Sequence, residues 1–222
     1  MQHRLRFSLL VAALSCSTPL AAAEIRVAVA TNFIEVMKRL GEDFAAQSGH
    51  QVRISSGATG KLYAQIKHGA PYDVFLAADA RRPTLLDEEG VAIAGSRFTY
   101  ALGKLVLWSP MADYIDDDLR VLKVQEFRFL SIANPRTAPY GRAAQQVLEK
   151  QGVWEGIQSR MVRGENIGQA YQYVYSQNAQ LGFVAKSQVF KNGAFTEGSY
   201  WQVPEALYDP IVQQAVLLQD NA

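Results

Sequence analysis

A chain of 222 residues, 49% hydrophobic and 19% charged, can bury one large core or two modest ones and does not have the composition of a disordered protein. Its single cysteine, Cys16, excludes an intrachain disulfide, and its net charge of +1 argues against a nucleic-acid or membrane-surface partner.

The amino terminus differs from the rest. Arg4 and Arg6 precede a short apolar core from Leu9 to Leu14, and Ala21-Ala22-Ala23 supplies the small residues a signal peptidase needs. The apolar run is too short to span a bilayer. Residues 1–23 therefore read as a cleavable signal peptide, with Glu24 as the first mature residue and a periplasmic destination. Without Arg4 and Arg6 the 22 basic residues become 20, against 21 acidic ones, a net charge of −1. The alternative start, a lipoprotein beginning at Cys16, has Ala13-Leu14-Ser15 before the cysteine, a poor lipobox.

Glu24 to Ala30 (EIRVAVA) reads as a central strand buried on both faces. It ends at Thr31-Asn32, and Phe33, Val36, Met37, Leu40 and Phe44 then follow helical spacing up to a stop at Gly49. Gln51 to Ile54 is a second strand, followed by Ser55-Ser56-Gly57-Ala58-Thr59-Gly60-Lys61-Leu62 and a helix carrying Leu62 and Ile66 on one face. A strand that breaks at glycines and re-enters a helix is either a simple capping turn or a seat for an anion on free N–H groups. It is not a Walker loop, because only two residues separate the glycines and Leu62 follows Lys61. Asp73 to Ala77 is a third strand, and Pro83 opens a short helix closed by Gly90. Three β–α units in succession predict a parallel α/β sheet whose strand C-termini share one rim, with Thr31, Asn32, Thr59 and Asp79 on it.

Phe98 to Trp108 is a long apolar segment, and Asp116-Asp117-Asp118 after it reads as a solvated loop. A strand at Phe129–Ala133, a two-proline loop from Asn134 to Gly141, a helix with Ala143, Ala144, Val147 and Leu148, a short strand at Met161-Val162, a helix with Ile167, Ala170, Tyr171 and Val174, and a strand at Leu181–Ala185 form a second α/β set. Tyr208 to Leu218 reads as a last strand returning to the first set.

Catalytic chemistry is poorly represented. The predicted mature chain has no cysteine, and His50 and His68 both read as helix-end residues. Zinc-ligand spacings and the G-x-G-x-x-G fingerprint are absent. Neutral hydrogen-bond donors at strand ends remain, a set suited to binding and not to turnover.

Five segments in order resemble one family: VAVATNF at 27–33, SSGATGKLYAQI at 55–66, GAPYDVFLAADA at 69–80, NPRTAPYGRAA at 134–144 and GENIGQA at 164–170. The chain is similar from Glu24 to its end to the periplasmic molybdate-binding proteins of ABC importers. That resemblance implies an α/β, two-lobed type II periplasmic-binding-protein fold, each lobe a mostly parallel sheet flanked by helices, with the ligand cleft between the lobes. Lobe I is expected over 24–103, lobe II over 104–206 and a return to lobe I over 207–222; family members continue past the last strand, so the C-terminal helical part of lobe I is expected to be missing. The resemblance implies ligand contacts at Thr31, Asn32, Thr59, Tyr140 and Ile167, the last through its backbone N–H. These residues would hold the metal as its oxyanion, molybdate or tungstate, with no separate cofactor. Some family members use a tyrosine at the end of the later strand, where this chain has Ala185, which makes the Asn32–Tyr140 pattern the better template. The implied activity is extracytoplasmic capture and delivery to an inner-membrane ABC permease, by a monomer and without catalysis. A sulfate or phosphate binder is the alternative, and a hydrolase a more distant one.

Overall fold

A computed structural model describes residues 22–219. The predicted signal peptide lies outside them but for Ala22 and Ala23, and so does Cys16. In chain order the first elements are β1 (Glu24–Ala30), α1 (Ile34–Ser48), β2 (Gln51–Gly57), α2 (Thr59–Lys67), β3 (Val74–Ala77), α3 (Arg81–Glu88) and β4 (Phe98–Gly103). There follow β5 (Leu105–Ser109), α4 (Arg120–Val124), β6 (Leu130–Ala133), α5 (Pro139–Lys150), β7 (Met161–Gly164), α6 (Ile167–Tyr175), β8 (Leu181–Ala185) and α7 (Lys186–Val189). Strands β9 (Phe190–Lys191), β10 (Ala194–Phe195), β11 (Ser199–Gln202) and β12 (Ile211–Leu217) complete the order.

Two five-stranded sheets result, each flanked by helices, one per lobe. The first runs β2-β1-β3-β12-β4 and the second β11-β5-β8-β6-β7. Strand β1 pairs in parallel with β2 and β3, because each β–α unit returns the chain through a helix. Strand β12 then adds antiparallel to β3 and β4, and the second sheet likewise combines parallel β6–β7 and β6–β8 pairs with antiparallel β5 pairs. Both sheets are therefore mixed. The apolar run from Phe98 to Trp108 is divided at Lys104, where the chain leaves the first sheet and enters the second. It crosses back between Gln202 and Ile211.

The burial follows the sequence pattern closely in the central strands. Val27 to Ala30 are buried, as are Phe75 and Ala77 of β3 and all of β5, β6 and β8. Leu62 and Ile66 put the inner face of α2 onto the first sheet. Helix α1 is a looser fit: Leu40 and Phe44, expected on its inner face, are 49% and 42% exposed, and Phe44 instead lies near the His50 ring. Gly49 ends α1 with φ of 73°, the left-handed conformation that closes a helix, and its N–H donates to the Ala45 carbonyl.

At the lower end of the first sheet, Asp73 ties β3 to β1. Its carboxylate accepts from the Arg26 backbone N–H at 2.6 Å and from the guanidinium at 2.8 and 3.2 Å. These bonds hold the Asp73 carboxyl below the usual carboxylate range. A carboxyl depressed in the folded state stabilises above its unfolded value near pH 4 and loses that contribution as pH falls through the folded value. Asp73→Asn should cost about 1–2 kcal/mol at pH 7, and the gap to wild type should narrow below about pH 4. Urea melts at pH 7 and pH 3 measure both.

Candidate ligand site between the lobes

Four chain segments that leave strand C-termini meet where the two lobes face each other. After β1 comes a 3-10 turn at Thr31–Phe33; after β2, Ala58 caps α2; after β6, a loop leads to Ala138 and α5; after β7, Asn166 caps α6. Together they line a cavity of about 190 Å³ to which Thr31, Asn32, Thr59, Tyr140 and Ile167 all contribute. None of the lining residues is Asp, Glu, Lys, Arg or His.

Three of the four segments are helix N-termini. Thr59 and Ile167 are the first residues of α2 and α6, and Pro139-Tyr140 open α5. The first N–H groups of a helix have no intrahelical acceptor, and the helix dipole adds partial positive charge there. The side chains point to the same chemistry. Thr31 Oγ1 is buried without a partner. Thr59, 1% exposed, accepts the Ala78 N–H on Oγ1 at 3.0 Å, which leaves its own proton to be donated elsewhere. Tyr140 is buried, and burial, with Tyr208 adding to it, pushes its phenol far above the usual value, so it stays a neutral donor. The Asn32 side chain is tied to Gln213 at 2.7 Å.

The lobes touch directly around the cavity. The Gly60 N–H donates to the Thr137 carbonyl at 2.9 Å, Ser187 Oγ donates to the Asn32 carbonyl at 2.9 Å, and Lys61 pairs with Glu165 at the rim. Two glycines permit this approach. A Cβ on Gly168 would lie 2.4 Å from Thr31 Cγ2, and one on Gly60 would lie 3.0 Å from the Thr137 carbonyl oxygen.

Asp79, expected on the same rim, does not line the cavity. Its carboxylate accepts the Arg82 N–H at 3.0 Å and pairs with the Arg82 guanidinium, capping α3. Ala185, at the end of β8, also lies outside the cavity, and its N–H is held by Gln188 Oε1. Sequence reasoning missed Asn166, which lines the cavity and caps α6 by accepting the Gln169 N–H at 2.9 Å. Its signal was present: Gln169 at the third helical position reaches back to the Glu165 N–H, a variant of the capping box. Gln213 was missed too, and no local motif marks it.

Among the described residues, no three His, Cys, Asp or Glu side chains cluster to hold a metal ion, and no helix is long and apolar enough to cross a membrane. The family model "Bacterial extracellular solute-binding protein" matches residues 25–222. The molybdate-binding protein ModA of Azotobacter vinelandii is 56% identical over 197 residues, 89% of this chain and 78% of that one. ModA of Rhodobacter capsulatus is 49% identical over 205 residues, 92% of this chain and 79% of that one. The solved structure of the Azotobacter vinelandii periplasmic molybdate-binding protein superposes with a TM-score of 0.84 at 46% identity, covering 87% of this chain and 85% of that one. The chain belongs to the bacterial extracellular solute-binding proteins and has their two-lobed type II fold.

Proposed function

We infer that the protein captures molybdate, with tungstate as an equivalent ligand, in the cavity between its lobes and delivers it in the periplasm to an ABC import permease. Thr31, Asn32, Thr59, Tyr140 and the Ile167 N–H are the proposed contacts. One observation carries the reading: a cavity between the lobes lined by neutral donors and three helix N-termini, with no ionisable carboxylate, amine or imidazole. A dianion is stabilised there by directed hydrogen bonds and dipoles, in a dry site that strengthens each of them. The Azotobacter and Rhodobacter relatives are named as molybdate-binding proteins, which supports this ligand and a binding role over an enzymatic one. The protein acts as a monomer, the two lobes closing around one anion and offering the closed surface to the permease.

The phosphate alternative requires an acceptor for the proton that phosphate retains at neutral pH, usually a carboxylate. Asp79, the one acid placed on that rim from the sequence, is occupied by Arg82 and does not line the cavity. This favours a fully deprotonated oxyanion. Titration calorimetry with molybdate, tungstate, sulfate and phosphate should give tight binding of the first two alone, with affinity nearly unchanged between about pH 6 and 8. The flat profile follows because the Tyr140 phenol is raised and stays protonated across that range, while the other contacts do not titrate. Equal binding of sulfate, or a steep pH slope, would refute the assignment.

Two substitutions probe the contacts. Tyr140→Phe removes one donor and little volume, and should weaken molybdate binding by about 1.5–3 kcal/mol with the fold intact. Gly168→Ala introduces a methyl against Thr31 at the point where the lobes meet. It should weaken binding at least about tenfold by obstructing closure, while the ligand-free melting temperature changes by no more than a few degrees. Calorimetry and thermal melts on the same samples separate the two effects.

A further inference from the structure

Behind the cavity wall, three polar side chains from distant parts of the first lobe form a buried chain. Asn32 follows β1; Gln213 lies on β12; Tyr100 lies on β4, where the pairing of β4 with β12 shifts register between Gln213 and Gln214. Asn32 and Gln213 are 7% and 3% exposed. Gln213 Oε1 stands 2.7 Å from the Asn32 amide nitrogen and 3.2 Å from the Tyr100 hydroxyl, and that hydroxyl is 3.0 Å from the Ala77 carbonyl oxygen. Written this way, the single Tyr100 proton faces two acceptors, and Asn32 Oδ1 is buried with no donor at all.

A primary amide has nearly the same shape when its oxygen and nitrogen exchange places. Turning both amides by half a turn resolves both faults without moving the backbone. Gln213 Nε2 then donates to Asn32 Oδ1 and to the Tyr100 hydroxyl oxygen, and Tyr100 donates its proton to Ala77. The Asn32 nitrogen takes the position of the buried atom that has no partner, and Asn32 is one of the residues that line the cavity. Burial raises the Tyr100 phenol far above its usual value, which keeps that proton in place.

We propose that Gln213 is a positioning residue: its amide nitrogen holds the Asn32 oxygen and so turns the Asn32 NH₂ into the cavity as a donor, tuning the site to oxyanions that carry no proton. This rests on the oxyanion reading of the cavity. With the opposite orientation, Asn32 would present an acceptor, which repels a bare dianion and welcomes a protonated one such as hydrogen phosphate.

Molybdate titrations of Asn32→Ala, Gln213→Met and the double variant test the coupling. Asn32→Ala should weaken binding about tenfold or more, and Gln213→Met about threefold to tenfold. The double variant should be no weaker than Asn32→Ala alone, because Gln213 acts only through Asn32. Gln213→Glu places there a group that, when ionised, can only accept; it pins the Asn32 nitrogen away from the cavity and should raise the ratio of phosphate to molybdate affinity. Both ligands are mostly dianions at pH 8, so general repulsion largely cancels in that ratio. Additive losses in the double variant, or wild-type affinity and selectivity in both Gln213 variants, would overturn the proposal. Should the variants not fold, the wild-type protein decides the matter through its side-chain amide NMR signals. The Gln213 NH₂ protons should show cross-peaks to the Tyr100 ring, and the Asn32 NH₂ signals should shift when molybdate is added. Failure of the wild-type protein to bind molybdate would count against the site's function, while the cross-peaks would still decide the orientation.

Discussion

Burying a doubly charged anion without a cationic side chain is the constraint on which the remaining structure depends. An isolated ion in a medium of low polarity is unfavourable by tens of kcal/mol, so the cavity must replace water with donors on every side. A single helix N-terminus offers a few N–H groups in one direction. Here α2 approaches from one lobe, and α5 and α6 from the other, and the 3-10 turn after β1 brings Thr31 and Asn32. The parallel β–α units put those helix starts at strand C-termini on facing rims. A two-lobed protein can close such a set around a solute that a preformed pocket could not admit.

The contact between the lobes relies on close approach more than on charge. The Lys61–Glu165 pair crosses the rim, but both side chains are about half exposed, and an exposed pair of this kind contributes at most about 1 kcal/mol. The Gly60 N–H on the Thr137 carbonyl and the Gly168 backbone against Thr31 are the tighter constraints, since any side chain at either position meets the opposite lobe. The two sheets are joined by two chain crossings, at Lys104 and between Gln202 and Ile211. Gly103, beside the first crossing, has the Tyr140 hydroxyl and Ile211 where its side chain would be, so the crossing and the site are packed together.

Much of this was legible in the sequence because the relevant signals are local. The glycine turn after β2, the apolar strands and the stop at Gly49 each depend on a few neighbouring residues. The division of Phe98–Trp108 between two sheets was not legible in the apolar pattern, which says that a strand is buried and not which sheet buries it; the expected lobe boundary after residue 103 came from the family resemblance. Helix α1 shows the limit of periodicity: Leu40 and Phe44 have helical spacing, yet they remain half exposed. Asp79 was placed on the right rim, but its commitment to Arg82 depends on side-chain direction, which spacing does not determine. Gln213 left no trace at all. It sits 181 residues from Asn32, and only the folded sheet brings the two amides together.

Selectivity in such a site depends on which groups the protein has already satisfied for itself. A hydroxyl or an amide can act as donor or acceptor, so a neutral lining does not by itself choose between a bare oxyanion and a protonated one. The chain narrows the ambiguity by filling some of these acceptors from within. Thr59 Oγ1 takes the Ala78 N–H, and Asn166 Oδ1 takes the Gln169 N–H. With Gln213 donating to Asn32, the third acceptor on the wall is filled in the same way. The Thr31, Thr59 and Tyr140 hydroxyls and the helix N–H groups can then all turn protons toward a bare oxyanion. An arginine would attract any anion regardless of its protonation. A wall that fills several of its acceptors from within favours a ligand without a proton of its own, a preference that a positive charge alone does not supply.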